Sequence, residues 1–400
     1  MPALSGCTTA SSHGQIAELN DCRFDVFSLD TVDNVFDDAI TTQLLVDEPD
    51  DPELVDTILE DEPEEVPAAS PPEHALALNV CRPFQTWEEY LLEYFSTMIA
   101  PEMVPVDDAR NGWRHWILPL AHTDQLIRDA VLSASAFHFS RTVSATQFAP
   151  DAIYHRAIRR LRQRQDLQSY SMAEKQTVIL SLLVFLTTIL VSGSSDHRIV
   201  LRLLDGAISA AGGDQVLKTS DIGLFIVRQN HKFRGYASPL FGQEQGIAVL
   251  SQTSATIRPS SSPGWDDFTS YYNFYTNHQK AMSLVYNLHE QACNIYVLRA
   301  QSGLDGPALT EQVSVFRATL EQFPPGSAGE NILVWPIFLA ALESTSKDDQ
   351  QFFLGHLMKH QKRNGFANIL GALGYLRHVW EGKNEVSWTR MLVGMEAFIV

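Results

Sequence analysis

Closely spaced cysteines are missing from this chain, and so are most of the patterns on which small-molecule chemistry is built. Its 400 residues contain four cysteines, Cys7, Cys22, Cys81 and Cys293, with no repeated spacing. Disulfide frameworks and zinc sites both need patterned sulfur, so reduced thiols in an intracellular compartment are expected. The N-terminus has neither the basic n-region nor the apolar h-region of a signal peptide. The longest apolar run, Val178 to Val191, is broken by Ser181, Thr187 and Thr188 and falls short of the roughly 18 to 20 residues that cross a bilayer. A core helix is expected there, and no membrane partner. Alternating strand patterns are lacking as well, which makes the expected class all-α.

Catalytic signatures fail one by one. There is no Gly-x-Ser-x-Gly elbow, P-loop or Gly-x-Gly-x-x-Gly fingerprint, and the nearest string, Ser192 to His197, has no strand-turn-helix context. Each pair of adjacent aspartates, beginning at Asp37, Asp50, Asp107, Asp266 and Asp348, lacks an acid one helical turn later. A helical carboxylate box for magnesium diphosphate is thereby excluded. His356 and His360 stand four apart on an expected helix, the spacing for a shared metal, but Leu357 occupies the place of a general-base Glu and no third ligand follows. Neither a catalytic residue, a cofactor nor a metal is expected.

Basic residues are nearly absent from the first 75 positions, which hold 19 of the 48 acids and, in Arg23, one of the 29 bases. The remainder balances 29 acids against 28 bases. A near-neutral body therefore carries a strongly acidic arm, and self-repulsion with few aromatics predicts that the arm is disordered in isolation. Its field repels phosphate, which argues against unaided nucleic-acid binding. Within the arm, Phe24, Phe27, Leu29 and Phe36 lie among aspartates, and Leu54, Ile58 and Leu59 recur at helical spacing opposite Asp56, Glu60 and Asp61. Acidic-hydrophobic alternation is the composition of activation segments, in which carboxylates keep apolar side chains exposed for a partner groove. A solvated tail with scattered apolar residues has the same composition. Pro63, Pro67, Pro71 and Pro72 form a stiff linker at its end.

From about Phe84 helical periodicity dominates. Trp87, Tyr90, Leu91, Tyr94, Phe95 and Met98 share one face, and Pro101 and Pro105 stop that helix. Further helices are expected from Asp124 to Ser140, from Tyr154 to Leu167, and from Ala173 to Val191, with a short one bracketed by Gly206, Gly212 and Gly213. A flexible loop is expected over 243–266, rich in Ser, Thr and Pro. Helices resume near Tyr272 and continue through Met282, Val285, Leu288, Tyr296 and Leu298. Ser346 and Asp349 make a capping pattern ahead of Phe353, Leu354, Leu357 and Met358, Gly365 ends that helix, and Ile369, Leu373, Leu376 and Trp380 form the last stripe. Gly371 and Gly374 suit close helix packing. The arginines at 156, 159, 160, 162 and 164 spread around a helix that also buries Ile158 and Leu161, which reads as a solvated face and not a groove-binding element.

Two blocks pair Trp, Pro and aliphatics in an order that helix physics alone does not require: Asn111, Trp113, Arg114, Leu118 and Pro119 running on to Phe137 and His138, and Asn331 with Trp335 and Pro336. Tyr154, Ala157, Leu161, Arg162, the segment His197 to Gly213 with Gly206 and Ala207, Gly365, Asn368, Val379, Trp380 and Trp388 continue the series. In this order, over residues 84–395, the chain resembles the fungal-specific transcription factor domain, the helical regulatory region of zinc binuclear-cluster transcription factors. The resemblance implies a nuclear regulator of transcription, often of a metabolic or secondary-metabolite pathway. One departure is plain. The family's Cys-x2-Cys-x6-Cys cluster cannot be assembled here, because Cys7 and Cys22 are 15 positions apart and no third sulfur comes before Cys81.

The expected organisation is thus an arm over 1–75 and a helical domain over 84–395. The expected function is transcriptional regulation through the transcription machinery or a DNA-binding partner protein, with self-association or pairing with another chain left open. Two rivals stand beside it: a ligand-sensing helical domain, since bundles often enclose apolar pockets, and an all-α enzyme of unrecognised chemistry.

Overall fold

The computed structural model describes residues 86–142, 148–164, 166–256, 275–304, 306–382 and 386–400. The arm residues singled out above, Phe24, Phe27, Leu29, Phe36, Leu54, Ile58 and Leu59, lie outside them, as do Cys7, Cys22 and Cys81. Among the described residues every regular element is helical and there is no strand.

The longer helices are α1 (Trp87–Tyr94), α2 (Gln125–Thr142), α3 (Pro150–Arg162), α4 (Met172–Ser192), α5 (His197–Ala210), α6 (Asp221–Phe241), α7 (Gln243–Thr256), α8 (Gln279–Ser302), α9 (Thr310–Glu321), α10 (Val334–Glu343), α11 (Lys347–Asn364) and α12 (Ala367–Glu381). Two of them organise the rest. Helix α4 is buried on all sides from Gln176 to Val191 and packs on α2, α5, α6 and α12. It is long and apolar enough to cross a bilayer, but the protein's own helices cover it. Helix α10, buried at every position from Val334 to Glu343, packs on α8, α11 and α12. An all-round apolar helix is stable in water only when neighbours surround it, so these two define where the core sits. Helix α12 packs on both α4 and α10, and Tyr236 of α6 meets Trp335 of α10 and His289 of α8.

Local chemistry explains the ends. Ser171 caps α4 in a full capping box with Glu174, and Gly193 closes the same helix at φ +79. Ser346 accepts from the Asp349 amide at the start of α11, and Gly365 ends it at φ +70, as the spacing predicts.

Several expectations need correcting. Residues 243–256 are helix α7 and not loop: Leu250 is fully buried, and a Cβ on Gly246 would lie 2.3 Å from the Tyr296 hydroxyl. Packing against α6 and α8 overrides weak local propensity there, because few of its side chains are apolar enough to signal a buried face. Gly206 lies inside α5, and only Gly212 and Gly213 form the turn, both at positive φ. Helix α3 ends at Arg162, short of Leu167, which begins a separate 3-10 turn after Asp166 adopts φ 54. Met98 is exposed because the chain widens into a π-helical turn at Phe95–Ile99, which rotates later positions off the α1 stripe. Leu298 and Met358 are exposed as well. Gly371 does pack closely, its Cβ position 2.6 Å from that of Ala397, whereas Gly374 faces open space.

Candidate functional site

The two Trp-Pro blocks converge on one irregular segment, 96–107. After the π-helical turn, a 3-10 turn spans Ala100–Met103 with Pro101 inside it. Had the helix continued, the Pro101 carbonyl would accept from residue 105, but Pro105 has no N–H. Asn331 supplies what is missing, donating from Nδ2 toward the carbonyls of Pro101 (3.2 Å), Glu102 (3.1 Å) and Val104 (2.7 Å). Gly329 N–H reaches the Pro105 carbonyl at 2.8 Å. From the other block, Asn111 Nδ2 donates to the Ala100 carbonyl and to Asp107 Oδ1, both at 2.9 Å. Arg114 donates to the Ser96 carbonyl at 2.7 Å and grips Asp107 with two bonds of 2.6 and 2.8 Å. The blocks thus serve as clamps on backbone that cannot satisfy itself.

The tryptophans have comparable duties. Trp335 stacks on His289 (6.2 Å, 15°) and lies 5.1 Å from Tyr236. His289 Nδ1 donates to the Val285 carbonyl, which leaves Nε2 to accept from the Tyr236 hydroxyl at 3.2 Å. Burial holds this imidazole neutral, its pKa pushed down to about 4. Trp380 Nε1 donates to the Ala341 carbonyl, and Trp388 Nε1 to Glu343 Oε2 at 2.9 Å. Glu343 also accepts from Arg299 Nε at 2.8 Å, from Arg299 Nη2, and from the Leu309 amide. Arg299 completes its coordination on the carbonyls of Gly303, Gly306 and Pro307. With 9% and 2% of their side chains exposed, the two ions are satisfied by bonding and not by water.

Three of the five arginines on and just after α3 are half-exposed and tie it to the start of α2. Arg156 and Arg160 hold Asp129 of α2 at 2.9 and 2.5 Å, and Arg164 holds Asp124 at 2.7 Å. The solvated-face reading is therefore corrected for these three. Asp129, only 1% exposed, was not anticipated. The one available signal was an acid in an otherwise apolar helix face, matched by arginines spaced i, i+4 on the next helix.

His356 and His360 belong to α11, where burial keeps both on the neutral side, His360 down to about 4. No group of three or more His, Cys, Asp or Glu is placed to hold a metal among the described residues. Cys293 is buried, and desolvation pushes its thiol up, away from the nucleophilic thiolate. A cleft lined by Lys232, Asn331, Asn364, Asn368, Phe366 and neighbours has a volume of about 20 Å³. That admits about one water molecule, against the roughly 300 Å³ or more of a metabolite pocket.

A family model described as "Fungal specific transcription factor domain" matches residues 90–234 and 243–399. The matched stretches contain both Trp-Pro blocks and the clamps they form. No curated protein matches the chain, and no solved structure does.

Proposed function

Since the chain belongs to the fungal-specific transcription factor domain family and is in that general sense a transcriptional regulator, we propose that it regulates through protein contacts. In this reading the acidic arm, residues 1–75, recruits the transcription machinery through Phe24, Phe27, Leu29, Phe36, Leu54, Ile58 and Leu59. The helical body, residues 84–395, holds a partner, such as a DNA-binding protein, in the nucleus. Its target is a metabolic or secondary-metabolite pathway.

One observation carries the proposal: charge is segregated, with nearly all the excess negative charge in the arm, while the buried ions of the body are spent on one another. Buried Glu343 is paired with buried Arg299, and buried Asp129 with the half-exposed Arg156 and Arg160, so these carboxylates are committed within the body. The cleft beside Lys232 and Asn331 suits a water and not a metabolite.

The test fuses residues 1–75 to an unrelated DNA-binding domain. The fusion activates a reporter, and replacing Phe24, Phe27 and Phe36 with Ala abolishes the signal. Silence of the intact fusion would remove the activation claim.

A further inference from the structure

Five arginines of the body fall within the nine residues 156–164, and Asp151 is the single acid of α3 beside them. Arg128, Arg156, Arg160 and Arg164 pair with three carboxylates, Glu88, Asp129 and Asp124, and Glu88 and Asp129 each serve two arginines. Arg159 is exposed and pairs with no carboxylate of the described residues. Residues three apart on a helix are neighbours, so Arg156 and Arg162 flank it on the same face. Positive charge is therefore in excess along the outer side of α3. The chain enters the helical body at the same place. Thr86 caps α1, and Glu88 in its first turn reaches Arg128 at 3.6 Å and Arg156 at 4.0 Å. Trp87 lies 6.1 Å from Phe148, two residues before α3 begins.

We propose that this face holds a segment of the chain's own arm, the acidic run Glu60 to Glu65, laid against Arg159 and its neighbours. Five acids fall in those six residues, interrupted only by Pro63, and no base lies between Arg23 and Arg82. The run is outside the described residues, and complementary charge and reach are what select it. It is the acidic stretch nearest to α1 in sequence, which makes its tether the shortest. From Glu65 to Thr86 the chain can span roughly 70 Å, against a length of about 20 Å for α3. Exposed ion pairs are individually weak. A short tether nevertheless holds its cargo at an effective concentration of about millimolar order, so several weak pairs suffice. The inference goes beyond the activation reading, since the contact forms whether or not the arm's apolar residues recruit anything.

Arg159→Lys keeps the charge at an exposed site and supplies an amine, which a zero-length carbodiimide joins to a touching carboxylate with loss of water. In the dilute full chain, coupling from position 159 should fall on Glu60, Asp61, Glu62, Glu64 and Glu65, as read by mass spectrometry of the joined peptides. Lys347, exposed on α11, is the comparison and should couple to the same acids at least about tenfold less. Raising the salt from about 0.1 M to 1 M shortens the screening length from about 10 Å to 3 Å and should lower the coupling at position 159 at least about threefold. In a mixture of isotope-labelled and unlabelled chains, both halves of each joined peptide should come from one chain. Coupling spread evenly over the arm's acids, coupling no greater than at Lys347, or a yield unmoved by salt overturns the proposal. So does coupling between a labelled and an unlabelled chain, which would make the face a contact between copies. The reporter fusion contains no α3, so its outcome and this one are independent.

Discussion

Asn331 donates its side-chain amide to the carbonyl of Val104 at 2.7 Å, joining positions 227 residues apart. The bond closes a gap that Pro101 and Pro105 open, and it ties the second Trp-Pro block to the segment held from the other side by Asn111 and Arg114.

Replacing Asn331 with Ala leaves three carbonyls short of a donor, and unfolding in urea should show a loss of about 1 to 3 kcal/mol. Asn331→Asp should be worse, because a carboxylate would face three carbonyl oxygens. An unchanged midpoint for both variants would mean that the amide is not a clamp.

The Arg299 and Glu343 ions are buried together, so removing one strands the other. Glu343→Leu or Arg299→Met should each cost about 3 to 5 kcal/mol, whereas the double replacement should cost less than either single one. A double-mutant cycle reads this directly. Additive losses would contradict it.

Acid should destabilise the body through its buried histidines. His197, His289 and His360 are held neutral by desolvation with pKa values near 4 in the fold, below the unperturbed value of about 6.5. The unfolded chain then binds more protons than the folded one between those values. Stability is unaffected well above pH 6.5 and falls as pH drops from there toward 4. At about 1.4 kcal/mol per unit, each histidine costs on the order of 3 kcal/mol by the lower end. His289→Gln should flatten the pH dependence of stability by about one proton. A slope that stays the same would assign the effect elsewhere.

Gly365 closes α11 at φ +70, and a Cβ there would lie 2.9 Å from Thr142 Cγ2 and 3.2 Å from His138 Nε2. His138 donates Nε2–H to the Asn364 carbonyl at 2.5 Å and accepts from the Tyr94 hydroxyl at 2.9 Å. Gly365→Ala should therefore disturb the helix end and this bridge together. A loss of at least about 1 kcal/mol is expected, from the left-handed backbone alone. Thermal unfolding matching that of the unmodified chain would refute it.

Positions whose meaning is local are legible in the sequence. Ser346 and Gly365 bound α11, and the apolar run after Ala173 is the core helix α4. Positions whose meaning depends on a partner are not. The weakly apolar stretch 243–256 is a helix because α6 and α8 cover it. Met98 left its stripe because a π-helical turn shifted the register. The arginines of α3 looked like surface until Asp129 and Asp124 came into reach.

By itself the sequence determined the helical class, the acidic arm, the caps and the family, since periodicity, charge and short-range spacing act between neighbours in the chain. Only the tertiary structure decided that Asn331 serves the carbonyls near Pro101, that Glu343 and Arg299 satisfy each other, and that Phe398 lies against His197. The physical reason is that a buried polar or aromatic group is settled by whichever atom reaches it in space, and chain separations of 30 to 230 residues leave that choice to packing.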